Sequence, residues 1–330
     1  MPLLYDRFPE LRDTVPHLSL GAAPTPLRRL PPFPGTETEI WLADEGAFGD
    51  GGWGGNKVRK LEWLLPDVVR RGRRTILTVG GLGTNWGLAT ALYAREQGLA
   101  TVLALVDQPV DEHVRAQLER IRNSGATVYF THTVARTALT VPWLLARHRT
   151  GSTPPYLLPA GGSSPLGLLG YVEVGLELAA QVSAGVMPEP THIVTAVGSG
   201  GTAAGLALGL TVAGLRTRVV GVVVNDKLRL DPRGLLRTAE RTERLLRARG
   251  AHLPKNVALT ADRLLLVRDQ LGPGYGHATN SGRAAQISAR ENAGLHLEPV
   301  YTAKAMAAIL DPQQGFGAGP IVYLHTDGTR

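Results

Sequence analysis

Apolar residues follow two alternating patterns along this chain from about residue 38 onward. Short β-branched runs are typical of buried strands, and longer stretches with helical spacing are typical of amphipathic helices. The predicted strands are Glu39–Ala43, Thr75–Val79, Thr101–Leu105, Thr127–Phe130, His192–Ala196, Arg218–Val223, Leu264–Arg268 and Ile321–His325. The predicted helices are Val58–Arg71, Asn85–Gln97, Asp111–Asn123, Leu166–Val182, Ala203–Ala213, Leu235–Arg249, Ser281–Asn292 and Thr302–Leu310. Strands that recur with helices between them predict an α/β fold with mainly parallel sheets covered on both faces.

A glycine- and serine-rich segment separates two series of predicted strands. The second series begins after Gly161–Pro165, so this segment is predicted to cross between two lobes. In open α/β sheets, ligands bind beyond the carboxyl ends of the strands, where glycine-rich turns lead into helices. Four such segments therefore become candidates for a binding site.

The composition narrows the class of protein. The chain has 330 residues, of which 43% are hydrophobic and 19% charged, as in globular proteins with a sizeable core. No apolar run reaches the roughly 20 residues that cross a bilayer, and residues 1–12 lack signal-peptide features, so we expect a cytoplasmic protein with no membrane partner. The absence of cysteine excludes a disulfide, a thiolate metal site and a cysteine nucleophile, and no metal is expected.

The net charge of +7 comes almost entirely from arginine. A basic surface can bind nucleic acid, but no zinc-ligand spacing, RNA-binding aromatic motif or helix-turn-helix pattern accompanies it here. We therefore expect a solvated arginine-rich surface and no nucleic-acid partner.

The segment Gly198–Thr202 follows a predicted strand and opens a predicted helix. Glycines let backbone N–H groups approach an anion, Ser199 and Thr202 add hydroxyl donors, and the helix N-terminus adds its dipole. The segment lacks the Gly-Lys-Ser/Thr ending of a P-loop and the Gly-x-Ser-x-Gly spacing of a hydrolase. It predicts a phosphate site, with a tight packing turn as the alternative.

Lysine is scarce, and Lys57 is the member of this small set with the most informative position. It stands at the start of a predicted helix after a glycine lead, where the positive end of the helix dipole favours the neutral amine. A neutral amine is what a Schiff base requires. The alternative is an ordinary solvated lysine.

The turn Gly80–Gly87 permits two interpretations. Its glycines resemble a relaxed dinucleotide fingerprint, with Asp107 as the ribose acid of a nicotinamide-dependent dehydrogenase. Alternatively, backbone N–H groups and Thr84 hold a substrate carboxylate while Asn85 binds a cofactor oxygen.

The turn His325–Gly328 ends the last predicted strand. A hydroxyl at such a position can bond a pyridine nitrogen, whereas a carboxylate would protonate that nitrogen. We assign Thr326 rather than Asp327 to the ring, with a plain strand-end turn as the alternative.

Together these segments resemble the fold-type II pyridoxal-phosphate enzymes, and most closely the family of 1-aminocyclopropane-1-carboxylate deaminase and D-cysteine desulfhydrase. The matching stretches cover nearly the whole chain in the family's order and are Pro24–Leu27, Gly55–Glu62, Gly198–Thr202, Gly272–Gly276, Glu298–Ala305 and His325–Thr326. The resemblance implies two three-layer αβα lobes like those of the tryptophan synthase β-subunit. It also implies a large cofactor-binding domain from residues 1–57 and 166–330, a small domain from residues 58–165, and a homodimer.

By the same resemblance, each matching residue takes a role toward pyridoxal 5'-phosphate. Lys57 carries the Schiff base, and Asn85 bonds the ring hydroxyl. The implied cofactor-binding residues are Lys57, Asn56, Asn85, Gly198, Ser199, Gly200, Gly201, Thr202 and Thr326. Tyr275 and Tyr301 match the family's two active-site tyrosines, which move protons or assist a nucleophile, although each could also be a core ring.

The substrate loop departs from the family pattern. Where the family has Gln-Ser-Asn followed by His or Gln, this chain has Gly83, Thr84, Asn85 and Trp86. Thr84 keeps a hydroxyl, so carboxylate binding or proton abstraction survives in principle, and Trp86 should fill or reshape the substrate pocket. Thr302 resembles the desulfhydrase branch.

The favoured function is that of a lyase or deaminase that eliminates a β-substituent from a small amino acid and releases a keto acid and ammonia. The alternatives are β-replacement, which makes a new amino acid, a cofactor-binding protein with altered catalysis, and the dehydrogenase.

Overall fold

Two sheets organise the chain in a computed structural model that describes residues 1–50, 53–254, 259–317 and 319–328. The strands are β1 Leu27–Arg29, β2 Ile40–Asp44, β3 Thr75–Gly81, β4 Ala100–Val106, β5 Thr127–His132, β6 Tyr156–Leu157, β7 His192–Val197, β8 Arg218–Val223, β9 Leu264–Val267 and β10 Ile321–His325. The α-helices are α1 Leu3–Arg7, α2 Leu11–Thr14, α3 Asn56–Arg70, α4 Asn85–Glu96, α5 Glu112–Asn123, α6 Val134–Arg147, α7 Leu169–Ser183, α8 Gly201–Ala213, α9 Pro232–Ala248, α10 Asn280–Ala293 and α11 Thr302–Leu310.

The larger sheet has six strands in the order β1-β2-β10-β7-β8-β9. All neighbouring strands are parallel except β1, which pairs antiparallel with β2 at one edge. Every residue of β10 is buried, as expected for a central strand covered on both faces. Alternate residues of these strands enter two separate hydrophobic clusters, one with α7 and α8 and the other with α10 and α11.

The smaller sheet has four parallel strands in the order β5-β4-β3-β6. Its two faces also belong to separate clusters. Ile76 and Leu103 pack with side chains of α3 and α4, whereas Leu77 and Val102 pack with Leu144 of α6. Each sheet is thus the middle layer of an αβα sandwich, and the predicted α/β class with mainly parallel sheets is confirmed.

The sequence patterns identified most elements. All eight predicted strands and all eight predicted helices are present, and their ends differ from the prediction by three residues or fewer. Helix α6 was not predicted, because it contains Pro142 and two threonines that weaken the helical pattern. The short strands β1 and β6 were also missed, since two or three residues give no periodicity.

The two central helices of the large sheet's first layer, α7 and α8, approach closely at glycines. A Cβ at Gly205 would lie 2.6 Å from the carbonyl oxygen of Leu168, and a Cβ at Gly175 would lie 2.9 Å from the backbone of Gly209. Side chains at these positions would force the helices apart, so the glycines set the interaxial distance.

A buried ion-pair cluster joins the start of α3 to the rest of the core. The Arg59 guanidinium is 1% exposed and donates to Glu177 at 2.7 Å and to Glu45 at 3.1 Å. The hydroxyl of Thr25 accepts a further bond from Arg59 at 2.8 Å. Paired in this way, the charges avoid the penalty of isolated burial and hold α3 in register with the N-terminal segment.

The strands of the smaller sheet come from residues 75–157, and those of the larger sheet come from residues 27–44 and 192–325. The division at residues 57/58 and 165/166 stays a prediction. Across the described residues, the helices are too short or too polar to cross a lipid bilayer.

Candidate active site

A cavity of about 300 Å³ lies where the carboxyl ends of the two sets of strands meet. The ends of β3, β4 and β7 and the segments after β8 and β10 all contribute to its wall. The predicted site residues in this wall are Asn56, Lys57, Thr84, Asn85, Trp86, Gly198, Ser199, Gly200, Thr202, Tyr275, Tyr301 and Thr326. Gly201 lies behind the wall. The position matches the general location of ligand sites in open α/β sheets.

Lys57 is the second residue of α3, after Gly55 with φ of 103°. A Cβ at Gly55 would lie 3.1 Å from the Thr326 carbonyl oxygen, and the Asn56 N–H donates to that same oxygen at 3.4 Å. The start of α3 is therefore hydrogen-bonded to, and closely packed against, the turn after β10. Burial lowers the pKa of Lys57 from 10.5 to about 8, so about a tenth of the amine is neutral at pH 7, far more than for an ordinary lysine.

The glycine loop forms one end of the cavity. Gly200 has a left-handed φ of 87° and precedes the first turn of α8. The Gly201 N–H donates to the Ser163 hydroxyl at 3.0 Å, and that hydroxyl lies 2.8 Å from the Ser199 hydroxyl. Hydroxyls, backbone N–H groups and a helix N-terminus thus meet at one place, as in anion sites.

A second lysine lies beneath this loop. Lys60 is 1% exposed, and its amine donates to the Gly161 carbonyl at 2.9 Å. The amine would lie 3.1 Å from a Cβ at Gly201. Burial, followed by the nearby charge of Lys57, lowers the pKa of Lys60 well below its usual value. Within the described residues no carboxylate pairs with Lys60, so an anion at the loop would supply the missing counter-charge.

The N-terminus of α4 forms another wall. Thr84 is its N-cap, and its hydroxyl accepts from the Gly87 N–H at 3.1 Å. The first N–H groups of a helix have no backbone acceptor within it, and the N-terminus of α4 lies at the cavity wall, so its positive end faces the cavity. Asn85 is oriented by Gln117, whose amide donates to the Asn85 Oδ1 at 2.5 Å.

Trp86 lies largely behind the wall. Its side chain is 2% exposed, and its indole N–H donates to the Thr78 hydroxyl at 2.7 Å. The far edge of the ring packs on Gly162, where a Cβ would lie 2.7 Å from the ring. Trp86 therefore fills the space between α4 and the segment that crosses between the sheets.

Tyr275 and Tyr301 form a pair on the opposite side. Their hydroxyl oxygens are 3.0 Å apart, and their rings meet edge to face at 6.2 Å. Burial raises the pKa of Tyr275, and burial together with Tyr275 holds the pKa of Tyr301 well above its usual value. Both hydroxyls therefore stay protonated near neutral pH and can act as hydrogen-bond donors.

Two carboxyl groups approach the end of the cavity near Thr326, namely Glu298 and Asp327. Burial, followed by the charge of Asp327, raises the pKa of Glu298 to about 7. The Glu298 carboxyl accepts the N–H groups of Val300 and Tyr301 at 2.7 Å each and so fixes the turn that presents Tyr301.

Several residues at or around the site were missed by the sequence reasoning. Lys60 and Glu298 lie within the motif stretches but carried no assigned role, and Ser163 was seen only as part of a crossing segment. Gln117 has no local signal, since nothing near it in sequence separates it from a surface glutamine. Asp107, the acid of the dehydrogenase hypothesis, is 59% exposed and pairs with His132 at 3.1 Å, away from the cavity wall.

Metal ligands do not cluster in the part of the chain that the structure describes, where no group of three His, Asp or Glu residues could hold an ion. The donors at the cavity instead suit an organic anion with a phosphate group. They combine a glycine loop, two serine hydroxyls, the buried Lys60 and the partly buried Lys57.

Comparisons with known proteins agree with this geometry. The family described as "Pyridoxal-phosphate dependent enzyme" matches residues 18–327. A crystal structure of an ACC deaminase homologue is similar over 99% of this chain and 95% of that chain, with 26% identity and a TM-score of 0.79. A threonine deaminase from T.th. is similar over 99% and 97%, with 21% identity and a TM-score of 0.65. An O-ureido-L-serine synthase is similar over 94% and 90%, with 17% identity and a TM-score of 0.61. The family match overturns the dehydrogenase alternative.

Proposed function

Since the chain belongs to the family of pyridoxal-phosphate dependent enzymes, we propose that it is a lyase or deaminase acting on a small amino acid. The overall reaction would release a β-substituent, consume one water and yield a 2-keto acid and ammonia. The observation that carries the proposal is the meeting of Lys57, the glycine loop and the Tyr275–Tyr301 pair in one cavity. The likeness to an ACC deaminase homologue over nearly the whole chain supports the same reaction class.

The residues at the glycine loop fit the cofactor's phosphate. Pyridoxal phosphate supplies an aldehyde that condenses with amines and a ring that accepts the electron pair of the α-carbon. Gly198, Ser199, Gly200 and Thr202 would hold the phosphate, with Ser163 orienting the loop and Lys60 supplying charge from below. Thr326 would face the ring nitrogen, since it lies beside the start of α3 that carries Lys57.

The N-terminus of α4 would bind the substrate carboxylate. The hydroxyl of Thr84 accepts the Gly87 N–H through a lone pair, so its own hydrogen is available to a carboxylate oxygen. The N–H groups of the first turn and the helix dipole favour the same charge. Trp86 would then limit the space by its position against Gly162 rather than by touching the substrate.

Lys57 would serve twice. Its amine, neutral in part because burial lowers its pKa to about 8, would hold the cofactor and, once displaced by substrate, take the α-proton. Tyr301 and Tyr275 keep their protons, so one can donate to the leaving group while the other holds it in place. The roles of these residues follow from the resemblance and from their placement together.

The test uses the purified holoenzyme and a panel of small amino acids in both enantiomers. Keto acid and ammonia are measured with and without an added thiol nucleophile. Equal amounts of keto acid and ammonia support elimination or deamination. An adduct in place of the keto acid would replace the proposal with β-replacement. Turnover of none of the panel, together with an unresponsive absorption spectrum, would reject catalysis on small amino acids.

The Tyr301→Phe variant sharpens this test. The phenyl ring keeps the packing on Gly198 and Tyr275 but removes the hydroxyl. We expect normal cofactor binding and turnover lowered about 100-fold, the usual scale for loss of a general acid. Unchanged turnover would remove Tyr301 from proton transfer.

We also propose a homodimer in the cytoplasm, and the two-domain division at residues 57/58 and 165/166, on the basis of the family resemblance. Sedimentation at several protein concentrations tests the dimer. Limited proteolysis tests the domain division.

A further inference from the structure

A buried glutamine outside the proposed set of site residues is hydrogen-bonded to Asn85. Gln117 lies on α5, is fully buried, and is not part of the cavity wall. Its amide nitrogen donates to the Asn85 Oδ1 at 2.5 Å. Asn85 itself lines the cavity at the first position of α4. Two amides from different helices are therefore joined directly behind the site.

The direction of this bond is determined by a third residue. Arg120, one turn further along α5, donates to the Gln117 Oε1 at 3.3 Å. A guanidinium can only donate, so the oxygen of Gln117 must face Arg120 and its nitrogen must face Asn85. Asn85 must then present its oxygen to Gln117, which leaves its NH₂ group for the cavity.

Arg120 is itself held in place at the surface. Its guanidinium lies 5.4 Å from the ring centre of Trp53, which is 7% exposed. The carbonyl of Trp53 in turn accepts the Tyr93 hydroxyl at 2.8 Å. The guanidinium that faces the Gln117 oxygen thus also contacts a buried aromatic ring, which favours its observed position.

We propose that Gln117 is a positioning residue that makes Asn85 a hydrogen-bond donor toward the ring hydroxyl oxygen of the cofactor. This inference rests on the proposed pyridoxal-phosphate function. Without Gln117, the Asn85 amide could turn by half a rotation and present its oxygen instead, because the two ends are nearly equal in size. An oxygen facing the electron-rich ring oxygen would repel it.

The Gln117→Glu variant is designed to invert the orientation. Glutamate has the same shape, accepts only, and can pair with Arg120. Asn85 would then turn its NH₂ group toward residue 117 and its oxygen toward the cavity. We expect cofactor binding weakened about tenfold or more. The Gln117→Met variant removes both hydrogen bonds without adding charge, and we expect a loss of about threefold to tenfold.

The measurement is the dissociation constant of the apo protein for pyridoxal phosphate, followed by visible absorption, together with the pH midpoint of that absorption. Far-UV circular dichroism and the urea midpoint check folding. The matched control is Gln97→Glu, an equal change of charge at an exposed position on the end of α4. The control should bind as the wild type does.

A double-mutant cycle separates positioning from mere packing. In an Asn85→Ala background, Gln117→Met should change the dissociation constant less than twofold, since no amide remains to orient. For Gln117→Glu, any change in the dissociation constant that remains in the Asn85→Ala background is the effect of the added charge. The difference between the two backgrounds, expected to be about tenfold, measures orientation.

Equal effects in both backgrounds, or wild-type binding and an unchanged pH midpoint in both Gln117 variants, would overturn the inference. These results differ from failure of the proposed function. If hydride trapping of the wild type leaves no pyridoxyl label on Lys57, the function fails. If the label is on Lys57 and the Gln117 variants bind normally, only the positioning role fails.

Discussion

The hydroxyl oxygens of Ser163 and Ser199 lie 2.8 Å apart, although the two residues belong to different segments of the chain. Ser199 is part of the glycine loop after β7, and Ser163 belongs to the segment that crosses between the sheets. Ser163 also accepts the N–H of Gly201 at 3.0 Å. The crossing segment therefore supports the loop that would hold the cofactor's phosphate.

Ser163→Ala should weaken cofactor binding. The change leaves the Gly201 N–H without its acceptor and frees the Ser199 hydroxyl, so the loop loses its fixed geometry. We expect the dissociation constant for pyridoxal phosphate to rise about threefold to tenfold, the scale of one to two hydrogen bonds. Absorption titration of the apo protein measures it.

The neighbouring Ser164→Ala is the control for this prediction. The Ser164 hydroxyl accepts the Gly167 N–H and lines a different cavity. Equal losses in both variants would mean that the crossing segment acts on the site only through general stability.

The capture of cofactor by the apo protein should depend on pH through Lys57. Only the neutral amine attacks an aldehyde, and burial lowers the pKa of Lys57 to about 8. The rate of capture should rise with pH and level off above about pH 8. With an ordinary lysine, the rate would continue to rise until above pH 10. Stopped-flow absorption measures the rate.

Lys57→Ala provides the control, because it should yield no borohydride-reducible link. A rate that continues to climb beyond pH 10 in the wild type would contradict the lowered pKa.

Replacement of Trp86 should lower the free energy of unfolding, whatever its effect on substrate preference. Trp86→His removes most of a buried ring that packs on Gly162 and donates to Thr78. We expect a loss of about 2–4 kcal/mol in the free energy of unfolding, near the range for truncated buried aromatic residues. Urea denaturation of the apo protein measures it.

Trp86→Phe is the milder counterpart. It keeps a ring in the same space, and Thr78 retains its bond to the Leu158 carbonyl, so we expect a loss of about 1–2 kcal/mol. A Trp86→His variant as stable as the wild type would place the indole elsewhere. Trp86→His should also shift turnover toward small D-amino acids, because it enlarges the substrate pocket.

Glu298 should give the protein a stability that falls as pH rises. Burial raises its pKa from 4.5 to about 7, so between these values the folded chain keeps a proton that the unfolded chain has lost. The stabilisation is complete below about pH 4.5 and is lost as pH rises through 7, at most about 3 kcal/mol. Urea denaturation between pH 5 and 8 measures the slope.

Glu298→Gln removes this titration, so the difference in stability between wild type and variant should change across the same range. Glu173, whose pKa burial also raises to about 7, gives both proteins the same background slope. Parallel curves for the two proteins would contradict the raised pKa of Glu298.

The sequence alone predicted those features that depend on residues close together in the chain. The alternation of β-branched runs with amphipathic stretches identified the parallel sheets, because burial on both faces requires apolar runs at those positions. The glycine loop and Lys57 were also predicted from local signals, since a glycine turn and the helix it opens are neighbours in the chain, and both line the cavity. The family motifs added Tyr275, Tyr301 and Thr326.

Folding alone brought together the residues that lie far apart in sequence. Gln117 reaches Asn85, Ser163 reaches Ser199, and Lys60 reaches the underside of the glycine loop only after the two sheets have set the distances between their helices. The direction of Trp86 was likewise undetermined, because its rotamer depends on the space left by Gly162. Local patterns specify which elements form, whereas side-chain contacts across the site depend on the packing of elements that no local pattern relates.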